Sequence, residues 1–317
     1  MHKSMISFTE KGSALIKRIN DEAVKAGIEP GTDLTGEDIS LEEMAKREFS
    51  KGNALIFIGA AGIAVRAISD CVNDKLTDSP VLVIDDDGQF VIPILAGHAG
   101  GANKIAVTIA KLIDAVPVIT TATDVNGAFS ADVFAAENNL RIRNREGIKT
   151  VSAKALEGKS ITLSIKDYPP KEPVDIMIAD ETDREYSLLM SPKRYVIGIG
   201  SRKDKDPAEF ERFVSDVLGE YDISTGDIYA IATIDVKEDE SAIKQFSNRH
   251  KIPVITFEAN VLSRAPGDFS SSEFVKDTVG VDNVCERAAI LASAGRGEFI
   301  CRKRKGDGIT VAIVKRA

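Results

Sequence analysis

Ala54-Leu55-Ile56-Phe57-Ile58 is an unbroken apolar run that stops at Gly59-Ala60-Ala61-Gly62. A strand with one wet face alternates apolar and polar residues. A strand that does not alternate is buried on both faces. The run therefore demands a sheet covered by helices on either side. The pattern recurs at Val81–Ile84, Val116–Thr120, Tyr195–Ile199, Tyr229–Val236 and Ile252–Phe257. Helical periodicity falls between the runs, at Ser13–Ala26, Ser40–Phe49, Ile63–Cys71, Ala102–Ile113, Pro207–Leu218, Ser241–Arg249 and Val284–Ser293. Ser40 with Glu43 three residues on reads as a capping box. Pro207 suits a first helical turn. Asp85-Asp86-Asp87-Gly88 joins Val81–Ile84 to Phe90–Leu95 as a hairpin, and Lys305-Gly306-Asp307-Gly308 does the same for Glu298–Arg302 and Ile309–Val314. The expected class is α/β, with open, mostly parallel sheets flanked by helices in two domains and a small middle module.

A chain of 317 residues is too long for one ordinary domain. The expected division is 1–127, a middle connector at 128–193, and 194–317. The middle stretch is irregular, with short strands at Ile161–Ile165 and Ile176–Ile178. Tyr168-Pro169-Pro170-Lys171-Glu172-Pro173 is stiff and cannot continue a helix.

Net charge narrows the partners. At −8 the chain is unsuited to general nucleic-acid binding, which draws its affinity from neutralising phosphates. The same charge weighs against an anionic membrane surface. No apolar run approaches the roughly 20 residues that span a bilayer, and the first residues carry no leader-like apolar stretch. A soluble, cytoplasmic protein is expected. Cys71, Cys285 and Cys301 are far apart and form no CxxC pair, so free thiols are expected and no protein metal site.

Ligands of open α/β sheets bind at the carboxyl ends of strands. Gly97-His98-Ala99-Gly100-Gly101-Ala102-Asn103 sits at one such end. Its glycines let a backbone approach a ligand, its helix-start amides favour anions, and an imidazole exchanges protons near neutral pH. The same residues also read as a tight helix start in which His98 bonds to backbone. Thr121, Thr123 and Asp124 end the next strand; they suit a ligand carboxylate or a water, or equally a hydroxyl-capped turn. Arg66 and Lys75 follow the first glycine turn and suit carboxylates, or are surface charges. Gly198-Ile199-Gly200-Ser201-Arg202 resembles a dinucleotide turn only faintly, because Lys203 stands where a third glycine belongs. Lys237 lies at another strand end, and Arg302 to Lys305 form a basic run that suits a solvated turn.

Three stretches together resemble the CbiG family of cobalt-precorrin-5A hydrolases. They are Gly59-Ala60-Ala61-Gly62-Ile63-Ala64-Val65-Arg66 with Asp74-Lys75-Leu76-Thr77-Asp78, then Leu95 to Asn103, then Val118 to Gly127. The C-terminal part is similar to the family's C-terminal domain, which occurs alone as CobE. Its matching pieces are Gly198-Ile199-Gly200, Ile234 to Lys237, Thr278 to Val281, Val284-Cys285-Glu286 and Thr310 to Ile313. Ser201 stands where the family often has Cys, so a thiol there is not a general need.

The resemblance implies opening of the δ-lactone of cobalt-precorrin-5A, with loss of acetaldehyde to give cobalt-precorrin-5B in anaerobic cobalamin synthesis. His98, Asp124, Thr121 and Thr123 are then the catalytic candidates. Arg66, Lys75, Gly97, Gly100, Gly101, Asn103, Gly200, Ser201, Arg202, Lys237 and Glu286 are the substrate-binding candidates. The cobalt belongs to the substrate, so no separate cofactor is expected. The expected partner is that cobalt-tetrapyrrole, with a homodimer or contacts to other cobalamin-pathway enzymes open. A non-catalytic corrinoid carrier is the alternative, and a nucleotide-binding protein a third reading.

Overall fold

In the computed structural model, residues 1–74, 77–98, 100–165 and 174–316 are described. Lys75 and the stiff Tyr168–Pro173 stretch lie outside them. The chain forms two compact units, 1–138 with 142–190, and 139–141 with 191–317.

The first unit opens with β1 (Lys3–Ser7), α1 (Glu10–Lys25), β2 (Thr32–Asp33), α2 (Leu41–Ser50), β3 (Ala54–Ile58) and α3 (Ala61–Ile68). It continues with β4 (Val81–Ile84), β5 (Phe90–Leu95), α4 (Ala102–Ile113) and β6 (Val116–Pro117). The sheet runs β2-β1-β3-β4-β5-β6. Every pair is parallel except the β4/β5 hairpin.

The apolar run that set the fold is β3, and all five of its residues are fully buried. Its side chains alternate between two cores. Ile56 and Ile58 pack with Leu15, Ile16 and Ile19 of α1 and Ala106 and Ile109 of α4. Leu55 and Phe57 pack with Met44 of α2 and Ala64 and Ala67 of α3. Loss of a side chain such as Phe57 typically costs ~3–5 kcal/mol.

The expected elements shift in places. β1 was not foreseen: Lys3-Ser4-Met5-Ile6-Ser7 has two serines, yet it pairs with β3 along its whole length. Ser4 is buried because its hydroxyl donates to Glu48 at 2.7 Å. The strand expected over Val116–Thr120 stops at Pro117. A short helix, α5 (Ala122–Val125), replaces the expected strand end at Thr121–Asp124; hydroxyl and carboxylate side chains favour helix starts.

Then come α6 (Ala131–Glu137), β7 (Leu140–Ile142), α7 (Glu146–Leu156), β8 (Leu163–Ile165), β9 (Val174–Ile178) and β10 (Tyr186–Pro192). The strands form a four-stranded sheet, β7-β10-β9-β8. Val174, Met177, Ala179 and Leu189 make its small core.

The second unit holds β11 (Tyr195–Ser201), α8 (Pro207–Gly219), β12 (Ile228–Ile234), α9 (Ser241–His250), β13 (Val254–Phe257), α10 (Ala259–Ser263) and α11 (Glu273–Val279). It ends with α12 (Cys285–Ala292), β14 (Glu298–Lys305) and β15 (Ile309–Lys315). The sheet order is β13-β12-β11-β15-β14. β11, β12 and β13 are parallel, and the final hairpin adds antiparallel strands. Ile197 and Ile199 face α8 and α9, while Val196 faces α12. Among the described residues no helix is long and apolar enough to cross a membrane.

Candidate active site

The chain leaves β5 through a sharp turn. Ala96 takes φ +51°, and Gly101 takes φ +87° as the residue before α4. Left-handed backbone suits glycine and costs an alanine roughly 1 kcal/mol. The amides of Gly101, Ala102 and Asn103 donate to the carbonyls of His98, Ala96 and Gly97 at 2.9, 3.2 and 3.0 Å. These helix-start amides are thus held by their own loop, which differs from the expectation of amides offered to an anion.

Two glycines here make room for protein, not ligand. A Cβ on Gly100 would collide with Ala96. A Cβ on Gly97 would stand 2.8 Å from Oδ1 of Asn103. The bare Gly97 therefore gives Asn103 its place. From there the Asn103 amide donates to Thr121 Oγ1 at 3.1 Å and to Asp124 Oδ2 at 2.7 Å.

His98 completes the cluster. Its Nε2 lies 2.5 Å from Asp124 Oδ2 and 3.3 Å from Thr123 Oγ1. Its Nδ1 lies 3.2 Å from Ser130 Oγ and 3.7 Å from Asp132 Oδ1. Ser130 Oγ donates to Asp132 Oδ1 at 2.5 Å. The side chains of His98 and Asp132 are 13% and 12% exposed, whereas that of Asp124 is 43% exposed. The imidazole thus sits between a sheltered carboxylate and an open one.

Hydrogen counting gives the arrangement direction. An ionised carboxylate only accepts, and a hydroxyl has one proton to give. With Ser130 donating to Asp132, His98 Nδ1 must donate to Ser130. Nε2 faces Asp124 Oδ2 directly, so the ring lies within proton-transfer reach of that carboxylate. Asp124 Oδ2 takes the bonds from His98 and Asn103, and among the described residues Oδ1 has no partner. Sequence reading missed Ser130 and Asp132. The one available signal was a Ser-x-Asp pair opening a helical stretch.

The other candidates are elsewhere. Arg66 is exposed on α3 and bonds the carbonyl of Gly62 in its own helix at 3.3 Å. Gly200 and Ser201 lie inside β11, and so does Gly198. A dinucleotide turn needs its glycines between strand and helix, so the nucleotide reading fails on placement. A Cβ on Gly198 would collide with the carbonyl of Cys285, so that glycine lets α12 press on the sheet. A Cβ on Gly200 would stand 2.6 Å from Thr310 Oγ1. Ser201 donates to the carbonyl of Arg202, and the exposed Arg202 faces Asp307 at 3.6 Å. Lys237 pairs with Glu240 at 3.0 Å. Glu286 is 1% exposed and accepts four bonds, from Ser270 N, Ser270 Oγ, Asn283 Nδ2 and Lys303 N at 2.7–3.2 Å. It fastens the loop at Ser270 and the strand β14 to α12. Burial pushes the neighbouring Cys285 thiol up to about 11, so it rests protonated.

The family described as Cobalamin synthesis G N-terminal matches residues 43–124, and Cobalamin synthesis G C-terminus matches residues 195–314. The first match contains His98, Asn103, Thr121, Thr123 and Asp124. A curated relative, the cobalt-precorrin-5A hydrolase of Salmonella typhimurium, is 31% identical over 98% of this chain and 96% of its own length. A solved structure described as a putative cobalamin biosynthesis protein G homolog from Sulfolobus solfataricus is 22% identical, with a TM-score of 0.43, covering 100% of this chain and 97% of that one. CobE, a protein from the cobalamin (vitamin B12) biosynthetic pathway, is 27% identical, with a TM-score of 0.37, over 40% of this chain and 92% of its own. The chain belongs to the cobalamin synthesis G family, CbiG.

Proposed function

We propose that this enzyme of cobalamin biosynthesis opens the δ-lactone of cobalt-precorrin-5A and releases acetaldehyde, leaving cobalt-precorrin-5B. The observation that carries the reading is the His98–Asp124 contact, with Asn103 holding the same carboxylate oxygen and the Asp124 side chain half exposed. The relative's activity supports the substrate.

Lactone opening adds water to the ester carbonyl, breaks the carbon–oxygen bond, and yields a carboxylate and an alcohol. Asp124 Oδ1 removes the water's proton. His98 then donates a proton to the departing alkoxide oxygen. The hydroxyl of Thr123, beside His98, stabilises the oxyanion of the addition step. In the second stage a base takes the alcohol proton back, and the carbon–carbon bond to the macrocycle breaks. The aldehyde leaves, and the bonding electron pair passes into the conjugated ring. A positioned acid or base contributes roughly 10²–10⁴-fold to such steps. The cobalt belongs to the substrate.

The test is incubation with cobalt-precorrin-5A and trapping of the aldehyde. Folded protein that yields no acetaldehyde above an enzyme-free control, while binding the tetrapyrrole tightly, would replace this reading with the carrier. His98→Ala is expected to lower release at least 100-fold with the fold intact.

A further inference from the structure

The loop that joins the two sides of the histidine cluster also lines a cavity. Asp124 lies in α5, Ser130 precedes α6, and Asn126 to Phe129 connect them. That connection forms one wall of a space of about 630 Å³. The rest of the lining comes from the end of α7, the turn after it, and strands β8 and β9. The lining is mainly apolar, with Phe129, Leu156, Ile161, Leu163 and Ile176. Phe129 is braced against Phe134, ring centres 5.6 Å apart.

Two features set this space apart from a packing defect. Leu156 and Leu163 are 42% and 37% exposed, although each lines the cavity. Apolar area left open in this way is stabilised by an apolar ligand that covers it. Its volume lies within the roughly 300–1,000 Å³ of small-molecule sites. The lining also contains the exposed cation Lys159, paired with Glu157 at 2.6 Å.

We infer that this cavity is the subsite for the flat face of a conjugated tetrapyrrole ring, with Lys159 meeting a peripheral carboxylate. The inference rests on the lactone-opening reading for the identity of the ring, and on the cavity alone for its shape. It gives the segment after α5 a role. α7, β8 and β9 hold the macrocycle, and the loop that touches the ring carries Asp124 at one end and Ser130 at the other. Ring binding and proton transfer are joined through one short connection.

The probe is coproporphyrin, a tetracarboxylate porphyrin with no lactone, titrated against the full chain by fluorescence. Wild type is expected to bind it, and His98→Ala to bind it equally well. Leu156→Asp combined with Leu163→Asp is expected to weaken binding at least tenfold. Wild type that does not bind, or a folded double variant that binds as wild type, overturns the inference. If the double variant melts early, the exposed Lys159→Glu decides: at least threefold weaker binding is expected, and equal binding overturns it. Acetaldehyde assays keep the two readings apart. Leucine-dependent porphyrin binding without any aldehyde sinks the reaction and keeps the pocket. Aldehyde release with KM unchanged in the leucine variants sinks the pocket and keeps the reaction.

Discussion

Asp124 and Glu286 are both carboxylates with an asparagine and a hydroxyl nearby, and they have opposite fates. Glu286 is closed off from water and accepts four bonds across both oxygens. Asp124 is half open, its side chain 43% exposed and its Oδ2 held by His98 and Asn103. A carboxylate shut away from water and bonded at both oxygens is a fastener. One that is half exposed beside an imidazole is placed for transfer. What separates the two is exposure to water and the imidazole beside Asp124.

The contrast breaks most visibly in activity. Asp124→Asn keeps the shape and removes the base, so acetaldehyde release is expected to fall by about 10²–10⁴-fold. Thermal unfolding should barely move, because the side chain is half exposed. A folded variant with normal turnover would make Asp124 another fastener.

Glu286→Ala should do the reverse. It strands the part-buried amides of Ser270 and Lys303, at about 3–5 kcal/mol in unfolding free energy. An unchanged denaturation midpoint would break the comparison from the other side.

Glu48 sharpens it with pH. Burial pushes its carboxyl up, but bonds from Ser4, Asn53, Lys51 and Arg47 outweigh that and bring it down to about 2. The folded state then holds its proton less tightly than the unfolded chain. The stabilisation is complete above the ordinary carboxylate value of 4.5 and is lost as pH falls towards 2. It amounts to about 3 kcal/mol. Glu48→Gln should flatten stability across that window, as followed by chemical denaturation between pH 5 and 2.

Lys251 is the smallest effect and the converse case, a buried charge without partners. Its Nζ has no hydrogen-bond partner among the described residues, and burial lowers its pKa to about 8. Between about 8 and the ordinary 10.5 the unfolded chain binds more protons, so stability rises with pH there. Lys251→Met should remove that rise and stabilise the protein at pH 7 by about 1–2 kcal/mol.

Much of this was legible in the sequence because the fold's central strands are uninterrupted apolar runs. β3, β11 and both hairpins come straight from such runs and their turn residues. β1 was hidden because Ser4 and Ser7 break the pattern, and only Glu48, far along the chain, explains why a serine is buried there. The glycine-histidine loop and the Thr121–Asp124 stretch stood out as a pair. Their contact at 2.5 Å depends on α5 replacing a strand end, which local residue preference does not announce. Ser130 and Asp132 were hidden more deeply. They lie in the irregular stretch, and only tertiary folding brings them to Nδ1. The glycines of β11 gave only a faint signal, because close packing and phosphate binding ask for the same residue.

Gly97 carries the wider lesson. It has no reacting group, and a catalogue of chemically able side chains passes over it. Yet any side chain at that position displaces an amide that steadies Thr121 and Asp124 together. A methyl group placed there would act as a dial on turnover without touching a single atom that exchanges a proton. Searches for slower or altered variants in this family therefore have as much to gain from its empty positions as from its charged ones.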